Sequence, residues 1–335
     1  VASKLLPFHK TGVARIVEYS SRLVENQNKL STRFAEIGDL LTEASFWAKK
    51  AGADVVRSEH VDQAVLKKKY RSSLYEDRVR ELIKDGTILI STEGAICGQA
   101  NGLAIHSMGD YSFGRPSRIT ARTAIGRLGI VNVEREIKLS GKIHSKGVLI
   151  ISGYLNGRYA QKNPLALTAS ITFEQSYDEI EGDSASSTEL YTLLSSLSGL
   201  PLKQNLAVTG SVNQWGEIQP VGGVTHKIEG FFEACKIKGL SGDQGVIIPA
   251  SNVKHLMLNE EVIEAVKAGL FHIFAVSTID EGIELLTGVK AGAMLPDGGY
   301  EPDSVHDRVD KKLSEYARSL HPYEEKRSEN GEGEK

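Results

Sequence analysis

The chain has 335 residues, 40% of them hydrophobic and 25% charged, with a formal net charge of -3. That balance gives no electrostatic reason to expect nucleic acid or an anionic membrane as partner. Two cysteines, Cys97 and Cys235, exclude a disulfide scaffold and a cysteine-based zinc site, and they fit a reducing, cytoplasmic setting. No apolar run reaches the roughly 18 residues needed to span a bilayer, and no signal peptide opens the chain. The first residue is Val1 rather than methionine, so a fragment of something larger is the expectation. At this length two domains are the default.

Residues 11–70 read as helical. Ile16, Val17, Leu23 and Val24 recur at helical spacing, as do Phe34, Ile37, Leu40 and Leu41. Ala51-Gly52-Ala53-Asp54 breaks the pattern, and Ser58 can cap a third helix carrying Val61, Ala64 and Val65. Residues 67–82 are expected to form a charged, solvated helical connection. From about residue 85 the texture turns to short β-rich runs with many glycines. Strands are predicted over Thr87–Ser91, Gly102–Ile105, Val148–Ser152, Ala169–Glu174, Leu206–Val212, Gly245–Ile248 and Ile273–Val276. Helices are predicted over Ser184–Ser198, Thr225–Lys238 and Ile279–Thr287. The alternation between 206 and 287 points to an α/β or α+β layered domain. After residue 322 the chain is charged and poor in aromatics, which predicts a disordered end.

Two segments carry chemistry. Glu181-Gly182-Asp183-Ser184-Ala185-Ser186 places a serine where a loop enters an amphipathic helix with Leu190, Leu193, Leu194 and Leu197 on one stripe. A helix N-terminus offers unpaired N–H groups and a positive dipole end to a developing oxyanion. Gly222-Gly223-Val224-Thr225-His226-Lys227 places a lysine in the first turn of another helix, where the dipole disfavours its charged form. A serine hydroxyl needs a partner that takes its proton, and a lysine kept neutral by its surroundings can do so. Taken singly, Asp183 or Ser184 reads as a helix cap, and Lys227 as a surface lysine lying over apolar neighbours.

The combination changes that balance. Gly182-Asp183-Ser184-Ala185-Ser186, then Val208-Thr209-Gly210, then Pro220-Val221-Gly222-Gly223-Val224-Thr225 followed by Lys227 resembles the peptidase domain of Lon proteases, with the archaeal LonB-type branch nearest. Ser184 and Lys227 stand 43 positions apart, the spacing of that family. Phe173-Glu174-Gln175-Ser176-Tyr177 and Gly245-Val246-Ile247-Ile248-Pro249 resemble further blocks of it, so the likeness covers about 85–290. The resemblance implies Ser184 as nucleophile, Lys227 as general base and Thr209 as the hydroxyl that positions the lysine. By the same resemblance Glu181 and Asp183 match acids that the LonB branch carries beside its serine. A carboxylate near Lys227 would favour its ammonium form and hold the resting site inactive until substrate displaces it; the alternative leaves Asp183 as a cap and Glu181 as a solvated loop residue.

The N-terminal unit is similar to the helical lid subdomain of an AAA+ ATPase. Within Leu30–Leu40 the resemblance assigns Arg33 to sensing a nucleotide phosphate. No Gly-x-x-x-x-Gly-Lys-Ser/Thr loop occurs, so no cofactor is expected in this chain, and ATP with magnesium is implied only for a full-length protein. The resulting expectation is an α+β chain: 1–75 a lid-like helical subdomain, 76–290 a Lon-type α/β layered peptidase domain, and 291–335 a C-terminal extension. Its partners would be unfolded polypeptides bound in extended form, inside a homo-hexameric ring. No metal is expected, because the histidines show no H-x-x-x-H or H-E-x-x-H spacing.

Two rivals stand beside this reading. A GDS-type esterase would use Gly182-Asp183-Ser184 with Asp303-Ser304-Val305-His306, although His306 falls past the last predicted core element and reads as a solvated tail residue. A catalytically inert adaptor would keep the fold and lack the chemistry.

Overall fold

The computed structural model describes residues 5–109 and 111–331. Three helices come first: α1 (Lys10–Leu23), α2 (Phe34–Lys50) and α3 (Ser58–Ser72). Ala44 and Ala48 of α2 meet Val61 and Ala64 of α3 around Val56, and these short side chains let the helix axes approach closely. The fourth helix, α4 (Leu74–Lys84), falls in the segment expected to be solvated. Instead Val79 and Ile83 are buried against Phe113 and Ala234, and Glu76 is buried with Tyr111 and Arg80 as its partners. Val79 and Ile83 share the buried face with Glu76, while Asp77, Arg78 and Glu81 face solvent, a division that an average over the segment conceals.

The rest of the chain builds a layered α+β domain. Its elements in order are β1 (Ala95–Ile96), β2 (Gln99–Met108), β3 (Tyr111–Ile125), β4 (Gly129–Asn132), α5 (Val133–Glu136), α6 (Lys142–Tyr159) and β5 (Leu167–Phe173). Then come α7 (Ser186–Ser198), β6 (Leu202–Lys203), β7 (Leu206–Val208), β8 (Ser211–Val212), β9 (Ile218–Gln219) and α8 (Val224–Lys238). After β10 (Gly245–Pro249) and a 3-10 turn follow α9 (Glu260–Lys267), β11 (His272–Val276), α10 (Ile279–Thr287) and α11 (Val305–Gly331). The main sheet runs β11-β10-β7-β2-β3-β5-β4. Pairing is parallel from β11 through β2, antiparallel from β2 through β5, and parallel again between β5 and β4.

Two apolar clusters sandwich this sheet. One contains Leu190, Leu193 and Leu194 of α7 with Val208 and Ile247; the other contains Ile228, Phe231 and Phe232 of α8 with Ala207 and Val246. Successive residues of β7 and β10 thus point to opposite faces, as the pleat requires. The same period-two rule turns Thr209, two residues after Ala207, toward the α8 side.

Further expectations change. Val148–Ser152 lies inside α6, where Val148, Ile151, Tyr154 and Leu155 are buried at helical spacing; the β-branched Val148, Ile150 and Ile151 had read as a strand. Thr87–Ser91 is irregular, with Ile90 buried in the cluster that α4 completes. The segment after 291 joins the main core: Val305, Val309, Leu313 and Tyr316 are buried along α11, which continues to Gly331 where a disordered end was expected. Residues 332–335 lie outside the described residues.

Candidate active site

Ser184 sits in a turn two residues before α7, not in the helix itself. The N-cap is Ala185, which offers no side-chain acceptor, and the Asp183 carboxylate accepts from Ser211 Oγ at 2.7 Å. Neither residue therefore serves as the cap that each suggests in isolation. The turn is held by its neighbours. Gly210 N–H donates to the Ser184 carbonyl at 2.8 Å, and Ser187 donates to the Gly210 carbonyl through its N–H at 3.1 Å and its hydroxyl at 2.8 Å. Thr188 Oγ1 donates to Val208 O at 3.2 Å, and Val212 N–H to Ser186 Oγ at 3.1 Å. The polar first turn of α7 is buried because each hydroxyl has a backbone partner on residues 208–212.

Lys227 arrives from the other face of the sheet. Gly223, the N-cap of α8, has φ 66°, and a Cβ there would lie 1.5 Å from Ile105 Cδ1, so only glycine fits this entry. Two turns on, Gly230 meets Gly114 of β3 so closely that a Cβ on Gly230 would fall 2.1 Å from the Gly114 carbonyl oxygen. This backbone-to-backbone contact brings the first turn of α8 down onto the sheet beside Thr209.

Lys227 Nζ stands 2.9 Å from Ser184 Oγ and 3.1 Å from Thr209 Oγ1. Lys227 is 3% exposed and Thr209 1%, so the surface-lysine reading does not hold. Burial pushes the lysine pKa down from 10.5 to about 8, against the opposing charges of Glu25 and Asp183. Ser184 keeps partial exposure and opens on a cleft of about 1000 Å³ lined by Leu103, Ile105, Tyr177, Pro220 and Val221 among others.

The two acids part company. Asp183 lies close enough to act on Lys227 electrostatically. Glu181 turns to the start of α6, where its Oε1 accepts from Ile143 N–H at 3.3 Å and its carboxylate occupies the space a Cβ on Gly141 would need. Arg33 precedes α2 with its side chain 68% exposed and pairs with Glu36 at 3.2 Å, beside a cleft between the helical unit and the α/β domain.

His306 is not a solvated tail residue. It is fully buried, with Nδ1 2.6 Å from Tyr159 Oη and Nε2 2.9 Å from Asp280 Oδ1. Both ring nitrogens are thus spent on joining α11 to α6 and α10. The sequence reading also missed Ser211, which holds Asp183, and Glu25, whose side chain reaches α8 from the helical unit; neither carries a local motif that announces it. Among the described residues, no group of three or more His, Cys, Asp or Glu is placed to hold a metal ion. No described helix is long and apolar enough to cross a membrane.

A helical lid beside an α/β layer whose sheet brings a loop serine, a threonine and a buried lysine together defines the class: a Lon-type proteolytic domain with an AAA+ lid. Residues 7–71 match the family model for the archaeal LonB AAA+ ATPase lid domain, and residues 178–287 match that for the Lon protease (S16) C-terminal proteolytic domain. The chain belongs to the Lon protease family, with a lid of the LonB type. It is 39% identical over 249 residues to a protein of Escherichia coli (strain K12) described as a Lon protease homolog, covering 74% of this chain and 42% of that one. It is 32% identical over 284 residues to an archaeal Lon protease of Archaeoglobus fulgidus, covering 84% and 42%. With an archaeal Lon protease of Thermococcus kodakarensis the identity is 29% over 316 residues, covering 94% and 46%. The chain spans less than half the length of these curated relatives.

Proposed function

We propose that this protease domain is a serine endopeptidase in which Ser184 is the nucleophile and Lys227 the general base. One arrangement supports the reading above all: a lysine amine, buried and with lowered proton affinity, within hydrogen-bond reach of a serine that faces an open cleft. Neutral Lys227 takes the Ser184 proton as Oγ bonds to the scissile carbonyl carbon. The tetrahedral oxyanion forms near the positive end of α7. As the C–N bond breaks, the lysine ammonium gives its proton to the leaving amine, and an acyl-enzyme remains. Lys227 then deprotonates a water that attacks the ester, and its proton returns to Ser184 as the carboxylate product leaves. With a pKa of about 8, roughly one lysine in ten is neutral at pH 7, enough to sustain turnover and to make it pH-sensitive.

The substrate in this reading is an unfolded polypeptide lying extended in the cleft. For the whole protein we propose a homo-hexameric, ATP-dependent, cytoplasmic protease, a setting with which the unpaired Cys97 and Cys235 agree. The sequence holds no loop to cradle a triphosphate, and Arg33 is engaged by Glu36, so no step above runs through nucleotide. Nothing in the geometry favours the esterase: His306 is buried between Tyr159 and Asp280. Hydrolysis of unfolded casein by the wild type, with loss in Ser184→Ala and in Lys227→Ala at unchanged folding, tests the assignment. An inert adaptor would hydrolyse nothing in any form.

A further inference from the structure

The lid is joined to the α8 end of the active site by one short loop. From the last turn of α1, residues 22–27 cross the start of α8 and the segment that leads into α9. Arg22 forks onto Glu229 of α8 at 2.7 Å through both terminal nitrogens and donates to Met257 O at 2.6 Å. Glu229 accepts in turn from Asn259 N–H at 2.8 Å. Gln27 Nε2 donates to Leu256 O at 3.0 Å. Between these anchors Glu25 takes a left-handed backbone, φ 48°, which is uncommon for a residue with a side chain. That conformation points its carboxylate at the start of α8, where Oε2 accepts from Gly223 N–H at 2.8 Å.

We propose that Glu25 of the lid is a positioning residue for Lys227: it fixes the Gly222-Gly223 entry into α8 and sets a negative charge beside the lysine. The inference rests on reading Lys227 as the general base. A carboxylate at a helix N-terminus satisfies an unpaired N–H and complements the dipole. Gly223 lies four residues before Lys227, so the helical turn that carries the amine starts at the hydrogen bond Glu25 makes. Glu25 is also the foremost charge favouring the ammonium form of Lys227, ahead of Asp183, which is held by Ser211. Around Glu25 itself stand Arg22 from α1 and His226 from α8, the latter with Nε2 4.0 Å from Oε1 and kept toward its neutral form by burial. Withdrawing the loop would remove the charge and the Gly223 acceptor together. Lid position is therefore linked to the protonation of the base.

The test is the pH profile of kcat/KM for a short fluorogenic peptide, measured on the whole chain with thermal unfolding as the folding control. Glu25→Gln keeps an acceptor for Gly223 N–H and loses the charge, so the acidic limb should move to lower pH by about half a unit with the plateau retained. Glu25→Ala should move the limb the same way and lower the plateau several-fold, because the α8 entry loosens. A limb that stays at the wild-type pH in both variants overturns the proposal, even if both unfold at lower temperature, since that is what a merely structural contact would do. Lys227→Ala retaining full activity would instead overturn the general-base reading and this inference with it.

Discussion

Thr209 ties Lys227 to the backbone of Ser184: its Oγ1 donates to the Ser184 carbonyl at 3.2 Å and accepts from Lys227 Nζ at 3.1 Å. The threonine sits at the end of β7, where Thr209 N–H donates to Ile247 O of β10 at 3.1 Å, so its position is set by the sheet. The Lys227 amine and the backbone that carries the Ser184 hydroxyl are thereby both referred to one strand end.

Removing that hydroxyl should be felt in turnover more than in binding. Thr209→Ala is expected to lower kcat for peptide hydrolysis by about 10- to 100-fold with KM nearly unchanged, in line with lost orientation of a general base. Thr209→Ser keeps the oxygen and should retain most of the activity. Steady-state kinetics on both variants checks the pair.

The two acids beside the serine should separate in a pH profile. Asp183 favours the ammonium form of Lys227, so Asp183→Asn should move the acidic limb to lower pH. Glu181 spends its carboxylate on the start of α6, so Glu181→Gln should leave the limb in place and cost about 1 kcal/mol of stability. Peptide hydrolysis across pH 6 to 9, read beside urea unfolding, distinguishes the two roles.

His306 should matter to stability and not to chemistry. His306→Ala leaves Tyr159 Oη and Asp280 without their buried partner and is expected to cost about 3 kcal/mol, while labelling of Ser184 by a fluorophosphonate is retained. Burial holds this histidine below its ordinary pKa of 6.5, so the fold favours the neutral ring. A group depressed in this way contributes stability above the unfolded value that is lost as pH falls through 6.5 toward the lower folded value. Denaturant melts of the wild type at pH 7.5 and pH 5.5 should show that loss, and it should shrink in His306→Ala.

The site was more legible in the sequence than the framework around it. Ser184, Thr209 and Lys227 sit in short glycine-bordered segments whose types and spacing carry their own message. Glu25 had no such signal, because its role depends on a loop of the lid meeting a helix some 198 positions away. β3 went unread because Arg115, Arg118 and Arg122 interrupt its apolar residues, yet Phe113, Ile119 and Ala121 are buried. The stripe of Val305, Val309, Leu313 and Tyr316 was present at helical spacing and was masked by the charged residues between them. The strand assigned to 148–152 failed for the opposite reason: β-branched residues gathered on the buried face of a helix.

The most direct test of the account is the rate at which a fluorophosphonate acylates Ser184 as a function of pH, in the wild type and in Lys227→Met. If Lys227 is the base, the wild-type rate rises through a pH of about 8, and Lys227→Met falls by roughly 10²- to 10⁴-fold with no rise across that range. A Lys227→Met protein that folds, labels at the wild-type rate and keeps the same pH dependence would contradict it.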